Sequence, residues 1–103
     1  MDIGKLPADL LGKLLSIAST TDPRVLLGPR VGADAAVIDM GNTVLVAKSD
    51  PVTFAADRIG WYAVHVNAND VACLGGEPRW FLATVLLPLG VEADAVATIF
   101  ADL

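Results

Sequence analysis

Trp61-Tyr-Ala-Val-His-Val-Asn-Ala-Asn-Asp-Val-Ala-Cys-Leu-Gly-Gly-Glu-Pro78 is the stretch on which the reading of this chain turns. Small and apolar residues run from Trp61 to Leu74 without a proline or glycine, and Gly75, Gly76 and Pro78 then stop the run. That pattern predicts a buried helix closed by a C-terminal glycine cap. Three polar residues interrupt it. Asn67, Asn69 and Asp70 are poor helix formers because their short side chains compete for the backbone, and a carboxylate in an apolar stretch is costly unless something pairs with it. A function must account for that cost. At about 100° per residue, Asn67 and Asp70 lie one turn apart on one face, where both can serve a common ligand, while Asn69 sits to one side.

Outward from this helix, composition sets the limits. A chain of 103 residues makes one domain or part of one. Hydrophobic residues make up 54% and aromatic residues 6%, so the apolar excess is aliphatic and small. That much apolar surface is hard to bury inside so small a chain, which points to a homodimer or a companion domain. Seven basic residues stand against twelve acidic ones, for a formal charge of −5. The basic residues are scattered, so the footprint of a nucleic-acid binder is missing. An acidic protein that handles a polyanion such as a nucleotide does so best through divalent cations. Cys73 is the single cysteine, which excludes an internal disulfide and a cysteine-rich zinc site and reads as a small buried hydrophobe. No apolar run reaches the roughly 20 residues of a membrane helix, and no signal-peptide core opens the chain. A cytoplasmic protein without a membrane partner is expected.

Before the central helix, Leu6, Leu10, Leu11, Leu14 and Leu15 repeat at helical spacing over Leu6 to Ala18, with Pro7 where a first turn tolerates it. Ser19 to Gly32 is dense in turn residues and reads as a loop, in which Arg24 and Arg30 are more simply solvated than bound to phosphate. Ala35–Met40 and Thr43–Lys48 read as two strands joined by the two-residue turn Gly41-Asn42. Each open end of that hairpin has an acid, Asp34 before the first strand and Asp50 after the second. Antiparallel pairing makes them neighbours. Val52 to Asp57 is a connection, with Asp57 as the expected helix N-cap. After the glycine stop, Arg79–Leu87 is almost continuously apolar and reads as a strand covered on both faces. Glu92 to Leu103 opens a further helix with Ala95, Ile99 and Phe100 on its inner side.

Asp34, Asp50 and Asp70 carry the chemical signal. Hard cations such as magnesium take carboxylate oxygens together with water and phosphate, and one or two carboxylates per ion suffice. Three converging acids therefore suit more than one ion bridging the phosphates of a nucleotide. Asp34 after a glycine-alanine pair and Asp50 before a proline are also ordinary turn residues. Asp70, between Asn69 and Val71 in mid-helix, has few structural excuses.

Gly32-Ala-Asp-Ala-Ala-Val-Ile38, then Ser49-Asp50, then Val66-Asn-Ala-Asn-Asp-Val-Ala72 with Gly75-Gly-Glu-Pro78, resembles the N-terminal domain of the aminoimidazole ribonucleotide synthetase (AIR synthase) superfamily. That superfamily includes the hydrogenase maturation protein HypE, thiamine-monophosphate kinase, selenophosphate synthetase and formylglycinamidine ribonucleotide synthetase. The resemblance covers roughly residues 25 to 90 and rests on the order and spacing of three blocks. It implies an α+β fold, two-layered with a mostly antiparallel sheet, that dimerises through the sheet. It also implies ATP as ligand, with magnesium held against the triphosphate by Asp34, Asp50 and Asp70. Asn67 and Asn69 would act behind the metal or on phosphate, and Lys48 and Ser49 would lie beside the phosphates. The implied chemistry is ATP-dependent phosphorylation that activates an oxygen of a small molecule or carrier group. The nearest patterns are the HypE and thiamine-monophosphate kinase branches.

The chain departs from the family in three places. Family members usually have Thr or Ser where Lys48 stands, and kinase-like members often have two adjacent acids where this chain has Ala33-Asp34. Residues 1–103 are also expected to be a single domain truncated before its last strand, with the C-terminal domain absent, inactive alone and with that domain as its partner. The alternative from another class is a catalytically inactive dimerisation module that retains the fold. His65, five positions before Asp70, is about 140° away around the helix and reads as a packed, hydrogen-bonded histidine rather than a base. Trp61, Trp80 and Phe81 read as packing residues rather than purine platforms. Gly75-Gly76 reads as a cap, because anions prefer helix starts.

Overall fold

A computed structural model describes residues 4–18, 20–53 and 57–103. The chain divides into two compact units, Met1–Lys48 and Ser49–Leu103. The expected connection from Val52 to Asp57 lies partly outside the described residues.

The first unit opens with α1, Ala8–Ile17, for which Pro7 is the N-cap. Its fixed φ and missing N–H cost nothing at a helix start. Leu10, Leu11 and Leu15 are half-buried, while Leu14 is exposed. Among the described residues three strands follow, β1 (Val25–Leu27), β2 (Ala36–Asp39) and β3 (Val44–Ala47), which lie side by side in that order. The predicted hairpin is present as β2, Ala36–Asp39, and β3, Val44–Ala47, paired antiparallel with Ala36 opposite Ala47 and Asp39 opposite Val44. Gly41 has φ +89, and Asn42 is not among the described residues of positive φ, which is the pattern of a type II′ turn. The Met40 N–H donates to the Thr43 carbonyl at 2.9 Å, and the Gly41 N–H donates to the Asp39 carboxylate at 2.8 Å.

The loop expected over Ser19 to Gly32 contains a strand that the sequence reading missed, β1, Val25–Leu27. It pairs with β2 through Val25 opposite Ile38 and Leu27 opposite Val37, so one extra residue on β1 bulges the ladder. Three apolar residues between Pro23 and Gly28-Pro29 are too few to show a period. The existing edge of the hairpin supplies the partner that makes them a strand.

The second unit contains α2, Ile59–Cys73, and α3, Ala93–Asp102. The cap at the end of α2 is as expected. Gly75 has φ +74, its N–H donates to the Ala72 carbonyl at 2.9 Å, and the Gly76 N–H reaches the Val71 carbonyl at 3.0 Å. These two bonds make a Schellman motif. At the other end the expectation fails: Arg58, not Asp57, is the N-cap, in the left-handed conformation and without a side-chain cap bond. The helix is also not the buried one expected. Gly60 is its one buried residue, while Tyr62, His65, Val66, Asn69, Ala72 and Cys73 are exposed. The 15-residue helix packs on α3 near its own start and leaves these six residues uncovered. Cys73 is accordingly an exposed free thiol and not a core residue.

The approach of α2 to α3 is close. A Cβ on Gly60 would lie 2.5 Å from the Ile99 carbonyl oxygen and 2.9 Å from Asp102 Cβ. The half-buried side of α3 holds Val96, Ile99 and Asp102, so Ala95 and Phe100, expected to face inward, are exposed. Between the helices, residues 79–87 carry no strand. Trp80 is 83% exposed and Leu82 98%. Apolar composition does not make a strand without an edge to pair with, and no ladder reaches this run among the described residues.

Candidate functional site

Each block of the sequence pattern takes a definite local form. Gly32 has φ +82, a left-handed conformation that a residue with a Cβ resists. It turns the chain just before Asp34, which is exposed, two residues ahead of β2. Lys48 follows directly on β3 and is half-buried. Because Ala36 faces Ala47, Asp34 enters and Lys48 leaves at the same end of the hairpin.

The second unit holds Ser49, Asp50, Asn67, Asn69 and Asp70. Ser49, Asp50 and Asn69 are exposed, whereas Asn67 and Asp70 are half-buried on α2. The Asn67 amide ties two segments together: its Nδ2 donates to the Ala63 carbonyl at 2.8 Å, one turn back on the helix, and to the Asp50 carbonyl at 3.2 Å. Its Oδ1 is buried and has no hydrogen-bond partner. The reverse amide orientation would set that oxygen against two carbonyl oxygens, so the network itself fixes the assignment. The Asn69 amide lies 4.0 Å from Cys73 Sγ, a weak local contact on the exposed side.

The segment Ser49–Asp50 is thus fastened to the helix that bears Asp70. The sequence reading foresaw the shared face of Asn67 and Asp70 but not this link. Its only trace in the sequence is an asparagine in mid-helix, together with Pro51, which removes an N–H and restricts the backbone of Asp50. Among the described residues no group of three or more His, Cys, Asp or Glu side chains forms a metal centre. The oxygen chemistry of Asp50 and Asp70, with a buried unpaired acceptor between them in sequence, still fits a hydrated magnesium ion, which takes one or two carboxylates and keeps several waters.

The other candidates resolve into local structure. His65 Nδ1 donates to the Trp61 carbonyl at 2.8 Å, and its ring stacks on Trp61 at 3.9 Å. The guanidinium of Arg58 lies 5.0 Å from the Trp61 ring centroid, and Tyr62 meets that ring edge-on at 5.1 Å. Trp61 is therefore occupied by its own neighbours. Arg24 is taken up by Asp22, through Nε at 3.1 Å and Nη2 at 2.7 Å. The side-chain hydrogen bond from Arg24 is the main cause that lowers the Asp22 pKa to about 2 and raises that of Arg24. Arg79 Nη2 pairs with Glu77 at 2.8 Å.

No helix among the described residues is long and apolar enough to cross a membrane. Comparison with known proteins adds to this geometry. Residues 32–103 match the family model "AIR synthase related protein, N-terminal domain". A thiamine-monophosphate kinase of Aquifex aeolicus (strain VF5) is 28% identical over 74 residues, covering 64% of this chain and 24% of that protein. A thiamine-monophosphate kinase of Archaeoglobus fulgidus is 34% identical over 62 residues, covering 52% of this chain and 21% of its own length. The chain thus spans about a quarter of the length of the curated relatives it matches. No solved structure gives a significant match.

Proposed function

Since this chain belongs to the AIR synthase related family through its N-terminal domain, we propose that it is the magnesium-dependent ATP-binding part of a kinase-like enzyme. That enzyme phosphorylates, and so activates, an oxygen of a small molecule or carrier group. One observation carries the reading: the family match over residues 32–103 contains all three acidic blocks in order. The kinase relatives support ATP as the phosphate donor.

In this reading Asp34, Asp50 and Asp70 are the magnesium ligands, and the bound ion neutralises triphosphate charge. Lys48 and Ser49 contact phosphate at the end of the hairpin. A lysine there supplies directly one positive charge that would otherwise come from metal, which suits a chain with Ala33 where kinase-like members have a further acid. Asn69, exposed on α2, is the remaining phosphate contact. Asn67 acts behind the metal.

The reading extends to assembly. The exposed run over residues 79–87 is the part that a second copy covers, and homodimerisation completes the sheet that one chain leaves open. Residues that select the phosphate acceptor belong to the length that the relatives have beyond the match.

Isothermal titration with a non-hydrolysable ATP analogue tests the proposal. Magnesium-dependent heat that disappears in Asp70→Asn supports it. If a longer protein containing this sequence gives no heat with magnesium present, the second reading replaces it: a dimerising module without chemistry, which the exposed apolar run would also suit.

A further inference from the structure

Asn67 has been grouped above with residues that serve the metal and phosphates, and its hydrogen bonds narrow what it can do. A side-chain amide has two N–H donors and one acceptor oxygen. Both donors are used, one on the Ala63 carbonyl at 2.8 Å and one on the Asp50 carbonyl at 3.2 Å. A phosphate oxygen only accepts, so Asn67 has nothing left to give it. The atom that remains is the buried Oδ1, which accepts a hydrogen bond from a donor such as a water on a hydrated cation and repels an anion.

We infer that Asn67 is a positioning residue for Asp50, and not a phosphate ligand. This rests on the proposed magnesium role of Asp50 and Asp70. The Asp50 carbonyl belongs to the Asp50-Pro51 peptide, so the backbone there is restricted from two sides. Pro51 confines the residue before it to extended conformations, and the Asn67 amide fixes where its carbonyl lies. The bond to Ala63 in turn holds the amide against α2, three residues before Asp70 and on the same face. A carboxylate on an exposed segment is thereby given a fixed root on the helix that bears the second ligand. Outer groups that orient a ligand typically change metal affinity by about 10–100-fold when removed.

The test uses the whole chain, NMR detection and Mn2+ as the probe for magnesium. In the wild type both Asn67 side-chain amide protons should exchange with solvent much more slowly than those of Asn42, which lies in an exposed turn. Mn2+ should broaden the signals of Asp50 and Asp70. Asn67→Ser keeps a hydroxyl that can bond back to the Ala63 carbonyl but is too short to hold Asp50 as well. It should melt within a few degrees of the wild type, bind Mn2+ about tenfold more weakly, and lose the response at Asp50 before that at Asp70. Wild-type Mn2+ affinity in Asn67→Ser, with Asp50 still responding, overturns the positioning role and leaves the metal site standing. Rapid exchange of both Asn67 amide protons in the wild type overturns it without any variant. No Mn2+ response at Asp50 or Asp70 in the wild type removes the metal site, and this inference with it.

Discussion

The two units of this chain close by different means, and two helix glycines make the difference measurable. In the first unit a three-stranded ladder joins β1, β2 and β3, and Gly12 in α1 has open surroundings: a Cβ there would meet its nearest neighbour, Val31 Cγ2, at 3.8 Å. In the second unit α2 and α3 cross at Gly60, where a Cβ would lie 2.5 Å from a backbone oxygen. The first unit is held by backbone hydrogen bonds between strands. The second depends on the absence of one methyl group, and it leaves its longest apolar run, residues 79–87, without a ladder.

The largest expected effect breaks this comparison directly. Replacing a helix glycine by alanine gains up to about 1 kcal/mol of helix propensity, and overpacking costs about 1–3 kcal/mol. At Gly60 the neighbours are backbone and a Cβ that cannot swing aside, so the clash wins. Gly60→Ala should lower stability by about 2 kcal/mol, read as a lower denaturant midpoint. At Gly12 the contact is an ordinary one, and Gly12→Ala should raise stability by a few tenths to about 1 kcal/mol. Equal effects of the two substitutions would remove the distinction between the units.

A second effect concerns the run that has no ladder. If a second copy covers residues 79–87, Leu82→Lys should weaken self-association at least tenfold in sedimentation velocity, because a charge buried at an interface core is costly. The first unit offers the control, since Ile17 is also exposed and lies in α1 rather than in a strand of the open sheet, and Ile17→Lys should leave association unchanged. The smallest effect lies in the first unit. The folded Asp22 pKa of about 2 is below the ordinary aspartate value of 3.8, so its contribution to stability is present above about pH 4 and is lost as pH falls through about 2. The pair is solvated, and its weight is small. Carboxyl carbon NMR should show Asp22 titrating near 2, and nearer 3.8 in Arg24→Gln.

What the sequence made legible follows the same division. The hairpin and the glycine cap of α2 were readable because local chemistry specifies them: a Gly-Asn turn between apolar runs, and Gly75-Gly76 after a helical stretch. The strand of Val25–Leu27 was not, since three residues become a strand only through the edge of β2. Arg79–Leu87 failed in the opposite direction. It has a strand's composition, but its pairing depends on something the composition does not record. Of the site, the residue types and the face shared by Asn67 and Asp70 were legible from helical spacing. The bond from Asn67 to the Asp50 carbonyl was not, because it joins residues far apart in sequence through a main-chain atom, and side-chain patterns say nothing of that.

Electron–nuclear double resonance on the chain loaded with Mn2+ and an ATP analogue, after labelling its aspartate carboxylates with carbon-13, tests the shared-cation claim at the atoms concerned. The account predicts carbon couplings to the manganese that diminish separately in Asp34→Asn, Asp50→Asn and Asp70→Asn. Bound manganese that shows no coupling to any aspartate carbon, or couplings that none of the three substitutions alters, would contradict it.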